Sequence, residues 1–144
     1  LNLIRIMPAK GQDRMQTSRY LARLMGPVML AMAAVVLLNG AAFRVVVGQF
    51  LASYALIFIA GLLTFTAGLA TVLAHNIWTP DWRVIVTVLG WLAVIGGLFR
   101  ILFPQIVVSV GGAVLAQAAA LPAIGFGIAI LGAVLSYFGY RPSH

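Results

Sequence analysis

Four long apolar runs constrain this chain more than any other feature. They lie at about residues 20–38, 49–74, 80–103 and 113–138. The second has no charged residue between Gln49 and Ala74, and the fourth has none at all. Each has roughly the ~20 residues a helix needs to cross a bilayer core. Hydrophobic residues make up 63% of the chain and charged residues 8%. Soluble domains carry about 45–50% and about 25%. A chain of 144 residues cannot hide so much apolar surface in one core. The expected fold is an all-α membrane protein with four transmembrane helices arranged as two tandem helical hairpins.

Taken in order, residues 1–19 are a basic interfacial segment with Arg5, Lys10, Arg14 and Arg19 against Asp13. Met7 and Met15 are alternative starts, so residues 1–14 need not belong to the mature protein. The first apolar run is long for the core of a signal peptide and is read as a helix. Residues 20–74 form the first hairpin. Asn39-Gly40 stops its first helix, a loop covers residues 40–48, and the second helix starts near Gln49. Residues 75–83 are a polar joint. There Thr79 suits an N-cap, Pro80 a first helical position and Asp81 the first turn of helix three. Trp78 and Trp82 suit a water–lipid boundary, and Arg83 can reach back to the headgroups. Residues 84–138 form the second hairpin. Pro104 ends helix three, residues 105–112 lie outside, and helix four starts near Ala113 with a kink at Pro122. Residues 139–144 are a tail.

Four crossings put both termini on one side. With the termini inside, Arg5, Lys10, Arg14, Arg19, Arg23, Arg83 and Arg141 are inner and only Arg44 and Arg100 are outer. The positive-inside rule therefore favours both termini in the cytoplasm, and the composition suits a bacterial inner membrane.

The hairpins read as a duplication. Phe43-Arg44 and Gln49 match Phe99-Arg100 and Gln105, and Gly40 matches Gly96. After a shift of eight residues, Gly61 and Gly68 match Gly125 and Gly132.

Residues able to do chemistry are scarce. The net charge of +7 could suggest nucleic acid, but five of the nine cations lie in the first 23 residues beside an apolar run, so the expected contact is lipid. With no cysteine, two acids and two histidines, neither a metal site nor an acid–base or nucleophilic set can be assembled. No glycine-rich phosphate loop is present. An enzyme is not expected, and no cofactor is required.

Around His75, the run from Phe65-Thr66-Ala67 through Ala74-His75 to Trp82-Arg83 resembles the helix of bacterial light-harvesting β polypeptides. That resemblance implies a (bacterio)chlorophyll ligand. More widely, His75-Asn76-Ile77-Trp78, Trp82-Arg83-Val84-Ile85-Val86-Thr87 and Gly90-Trp91-Leu92 resemble a family of small uncharacterised four-helix bacterial membrane proteins. That resemblance implies a fold and no activity.

Three sets of candidate residues follow. His75, Asn76 and Trp78 are candidates for a quinone or pigment. Arg19, Arg23, Arg44, Arg83 and Arg100 are candidates for lipid headgroups or anions. Ala60, Thr64, Gly68 and Thr71 on helix two, with Ala119, Ala123 and Gly127 on helix four, are candidate packing faces, toward this bundle or other membrane subunits. The leading expectation is a non-catalytic accessory subunit of a membrane complex, respiratory or photosynthetic. One alternative is a small facilitator for an uncharged or anionic solute, lined by Asn39, Ser53, Thr64, Thr66 and Gln117. The other is a pigment- or quinone-binding protein using His75.

Overall fold

A computed structural model describes residues 10–142, with side chains from Arg14 onward. Six helices are described: α1 (Lys10–Leu38), α2 (Gly40–Leu51), α3 (Tyr54–Ala74), α4 (Arg83–Leu102), α5 (Pro104–Ala116) and α6 (Ala120–Tyr140). No strand occurs among the described residues. Four of these helices, α1, α3, α4 and α6, are long and apolar enough to cross a membrane. Their outer faces carry exposed Leu, Ile, Val and Phe, the surface a bilayer covers.

The two connections at one end differ from expectation. Residues 40–48, expected as a loop, belong to α2, and residues 105–112, expected outside, belong to α5. Both stretches are apolar, so hydropathy alone merges their later residues with the long helix that follows. The breaks are local. Ser53 is extended and its hydroxyl accepts from the Leu56 N–H at 3.3 Å, which caps α3. Gln117 is extended and separates α5 from α6. The second and fourth long helices thus begin at Tyr54 and Ala120, not near residues 49 and 113. Pro104 ends α4 as expected and also opens α5 at a position where a missing N–H costs nothing. Pro122 falls in the first turn of α6, where it leaves no carbonyl unpaired.

The long helices pack as two antiparallel pairs, α3 with α4 and α1 with α6. Glycine makes both pairs close. A methyl group on Gly68 would lie 2.6 Å from the Val94 nitrogen, and one on Gly132 would lie 3.0 Å from the Leu30 nitrogen. One on Gly61 would lie 2.9 Å from Arg100 Cβ, and one on Gly125 2.9 Å from Val36 Cγ1. In lipid, where burial from water drives nothing between helices, such backbone approach supplies the attraction.

These contacts also follow a single spacing along the chain. Gly61 and Gly125, Gly68 and Gly132, Val94 and Leu30, and Arg100 and Val36 are each separated by the same 64 residues. Asn39 and Phe103, the hinges before the short helices, obey the same spacing and have nearly equal torsions, φ −135°, ψ 49° and φ −131°, ψ 56°. The match of Arg44 with Arg100 and of Gly40 with Gly96 belongs to a shorter spacing that the packing does not follow. The pairs also exchange between repeats, because α1 of the first seats α6 of the second and α4 of the second seats α3 of the first. At the end bearing the joint, Ala22 of α1 and Val86 of α4, again one repeat apart, are fully buried together with Leu135. At the other end the short helices α2 and α5 touch.

Candidate functional site

The joint between α3 and α4 places His75, Asn76, Thr79, Asp81 and Arg83 within nine residues. Helix α3 ends at Ala74, and His75 turns extended, with its N–H donating to the Thr71 carbonyl at 2.8 Å. That turn carries the imidazole inward, where it is 2% exposed. Its Nε2 is 3.1 Å from the Arg83 carbonyl and its Nδ1 is 3.2 Å from the Ser18 hydroxyl of α1. A carbonyl only accepts, so Nε2–H donates to Arg83, and Nδ1 pairs with the Ser18 hydroxyl. The Ser18 hydroxyl donates to the Arg14 carbonyl at 2.8 Å. His75 therefore ties the end of α3, the start of α4 and the flank of α1 together.

Twelve positions on, Thr87 is fully buried. Its hydroxyl accepts from the Ile77 N–H at 3.1 Å and donates to the Ile77 carbonyl at 3.0 Å. This one side chain pins both polar groups of a loop residue to α4. Neither Ser18 nor Thr87 stood out in the sequence. Each is one of several hydroxyls in apolar surroundings, and only the fold shows which of them meets a loop.

The remainder of the joint is arranged as a turn. Helix α4 starts at Arg83, not at Pro80, and Thr79 makes no side-chain cap. Just before the helix, the Asp81 carboxylate accepts from the Trp82 N–H at 2.6 Å and pairs with the Arg83 guanidinium at 3.0 Å. Asn76 and Trp78 are exposed, and the Trp78 indole N–H donates to the Asn76 side-chain oxygen at 2.7 Å. Trp82 is half-buried and stacks on Phe138 of α6, with centroids 5.5 Å apart and planes 1° apart.

His75, Asn76 and Trp78 are neighbours, the first buried and the other two exposed. Both imidazole nitrogens are bonded within the chain. The opening beside His75, bounded by Arg14, Leu73, Ala74, Asn76 and Ile77, is about 160 Å³. Pockets that hold cofactors run to about 300–1,000 Å³. Three or more His, Cys, Asp or Glu side chains placed to hold a metal ion do not occur among the described residues.

The arginines divide by function. Arg23 donates to the Gly139 carbonyl at 2.7 Å and lies over the Tyr140 ring, which joins α1 to the end of α6. Arg44 donates to the carbonyls of Leu115 and Ala118 at 2.6 and 3.2 Å, joining α2 to the end of α5. Arg83 is engaged by Asp81. Arg100 bonds only back to Gly96 of its own helix, at 3.1 Å, among the described residues. Arg19 lines an opening of about 340 Å³ with Asp81, Trp82, Phe138 and Arg141.

The packing candidates also divide. Gly68 is buried against α4, with Ala60, Thr64 and Thr71 half-buried beside it. Ala119, Ala123 and Gly127 are exposed, and nothing lies within 4 Å of a methyl group placed on Gly127. The side of α6 that packs on α1 carries Leu121, Gly125, Gly132, Leu135 and Gly139 instead. The residues suggested for a solute path do not line one channel. Asn39 and Gln117 are exposed at helix breaks, Ser53 caps α3, and the exposed Thr66 donates to the Leu62 carbonyl. No protein-family model matches this chain, and no curated protein or solved structure is significantly similar to it.

Proposed function

We propose that this protein is a non-catalytic accessory subunit that packs against other membrane proteins in a bacterial cytoplasmic membrane, with both ends cytoplasmic. The observation that carries the reading is the outward side of α6. Ala123 and Gly127, with Ala119 just before the helix, offer a second small-residue face on α6, whose first such face is already occupied by α1. In lipid a second helix can approach such a face closely. The use of polar groups supports it as well. His75, Ser18, Thr87, Arg23, Arg44 and Asp81 are committed to bonds that hold the fold, which leaves little for catalysis. The side assignment rests on charge. Arg14, Arg19, Arg23, Arg83 and Arg141 belong to the end bearing the joint, Arg44 and Arg100 to the other.

Purification in a gentle detergent tests the proposal. The expected result is a stoichiometric membrane partner that is lost on Gly127→Leu and kept on Leu63→Ala, at an exposed position of α3. A lone monomer, or a partner indifferent to Gly127→Leu, sinks it. A pigment or quinone site at His75 has less support, because the ring nitrogens are already bonded. A solute facilitator has less support, because its polar residues are dispersed.

A further inference from the structure

The repeats are not equivalent everywhere, and one chemical difference lies at the short-helix end. There α2, α4 and α5 enclose an open groove of about 360 Å³. Val47, Phe50, Leu51, Phe99, Val107 and Val110 make it apolar, and Arg100 is its one charged residue. Gly96 leaves room for that guanidinium. A methyl group on Gly96 would meet nothing but Arg100 Nη1, at 3.3 Å. Gly111 brings the short helices together, since a methyl group there would lie 2.8 Å from Leu51. One repeat earlier, the positions of Gly96 and Arg100 are held by Met32 and Val36, so neither the glycine nor the cation is repeated there.

Arg100 is also unmatched. Its bond to the Gly96 carbonyl uses one of five guanidinium N–H groups. Asp81, the one acid with a described side chain, stands at the opposite end of α4 and is engaged with Arg83. A half-buried guanidinium beside an apolar trough complements a molecule with an anionic head and a hydrocarbon chain.

We propose that this groove binds one anionic lipid of the surrounding bilayer, with an acyl chain along Val47, Phe50, Val107 and Val110 and the acidic oxygens of the head on Arg100. The shared chemistry is an oxyanion on a hydrocarbon tail, and either a phospholipid phosphate or a fatty-acid carboxylate provides it. The site does not depend on the accessory-subunit reading, since it needs no protein partner.

Native mass spectrometry of the purified protein in a neutral detergent tests the site. Phosphatidylglycerol, oleate, phosphatidylcholine and inorganic phosphate are titrated separately. The expected result is one phosphatidylglycerol or oleate per chain, the tighter of the two naming the source, and weaker phosphatidylcholine. Arg100→Gln should weaken the preferred lipid by about tenfold or more, the loss of one charge-assisted contact. Val107→Trp, which fills the trough and leaves the charge, should do the same, while Arg100→Lys should retain most of the binding. Arg19→Gln, at the other end of the molecule, should leave it unchanged. Equal lipid retention by wild type and Arg100→Gln overturns the proposal. So does displacement of the lipid by equimolar inorganic phosphate, which would mark a site for small anions without the acyl groove. Should Arg100→Gln lose its native elution profile, Val107→Trp and Arg100→Lys decide the matter alone.

Discussion

Replacing Gly68 by alanine tests the packing most directly. The added methyl would sit 2.6 Å from the Val94 nitrogen and 2.8 Å from the carbonyl carbon and Cβ of Ala93. Ordinary contacts between such atoms lie at about 3.5–4.0 Å. Two of the three obstructing atoms are backbone, so no side chain can rotate away, and α3 and α4 must part by roughly 1 Å. A gap of that size forfeits a quarter to a half of the attraction at each contact it opens. With Gly61 and Gly97 in the same seam, the loss spreads along both helices. Overpacking of this kind costs about 1–3 kcal/mol, and Gly68→Ala belongs near the top of that range. Gly132→Ala, one repeat later, meets its nearest atoms at 3.0–3.1 Å and should cost about 1 kcal/mol. Gly127→Ala meets nothing and should be neutral or stabilise by up to about 1 kcal/mol through the better helix former. Reversible unfolding in mixed micelles measures all three. The reasoning predicts the order of loss Gly68, Gly132, Gly127, and it fails if Gly68→Ala is as stable as Gly127→Ala.

Thr87→Val keeps the shape but strips both bonds from Ile77, and should lower stability by about 2 kcal/mol, read from the same unfolding curves. Arg44→Gln should cost about 1–2 kcal/mol, because it releases two carbonyls near the end of α5, while Arg100→Gln should change unfolding by less than about 0.5 kcal/mol. Asp81→Asn should change the unfolding free energy by less than about 1 kcal/mol, since the Asp81 end of its pair with Arg83 is exposed, and a larger change would mean the turn depends on the charge.

What was legible in the sequence depended on physical scale. The lipid solvent and the four long helices come from composition over tens of residues, and Asn39 and Pro104 marked their stops correctly. The short helices α2 and α5 escaped because Gly40–Leu51 and Pro104–Ala116 are themselves apolar and run into the longer spans that follow. Only Ser53 offered a signal, as a cap inside an apolar run. The repeat was visible in the glycines of α3 and α6, whose spacing the packing requires. The match of Arg44 with Arg100 follows a spacing of 56 residues, not the 64 of the glycine contacts. In the joint, His75 was conspicuous as the one histidine outside the tail. Its partners Ser18 and the Arg83 carbonyl lie 57 positions before it and 8 after it, and no local pattern announces them.

The exchange of helices between repeats carries a consequence for how the chain holds together. Two self-contained hairpins would each keep their own long helices in contact, and the bond between hairpins would be secondary. Here α1 lies on α6 and α4 lies on α3, so almost every close glycine contact joins one repeat to the other. Cutting the chain in the joint, between residues 79 and 80, should therefore leave two pieces that lack their partners when alone. Expressed together, they should recover both seams, at the loss of one covalent link beside His75. Helix insertion before helix association makes this feasible, since each apolar span can enter the bilayer independently. The two pieces, one tagged, should co-purify in equal amounts, and Gly68→Ala with Gly132→Ala in the same pair should separate them. Pieces that purify apart, each with its own cooperative unfolding, would show that the repeats stand alone and that the seams α1·α6 and α3·α4 do not hold the molecule together.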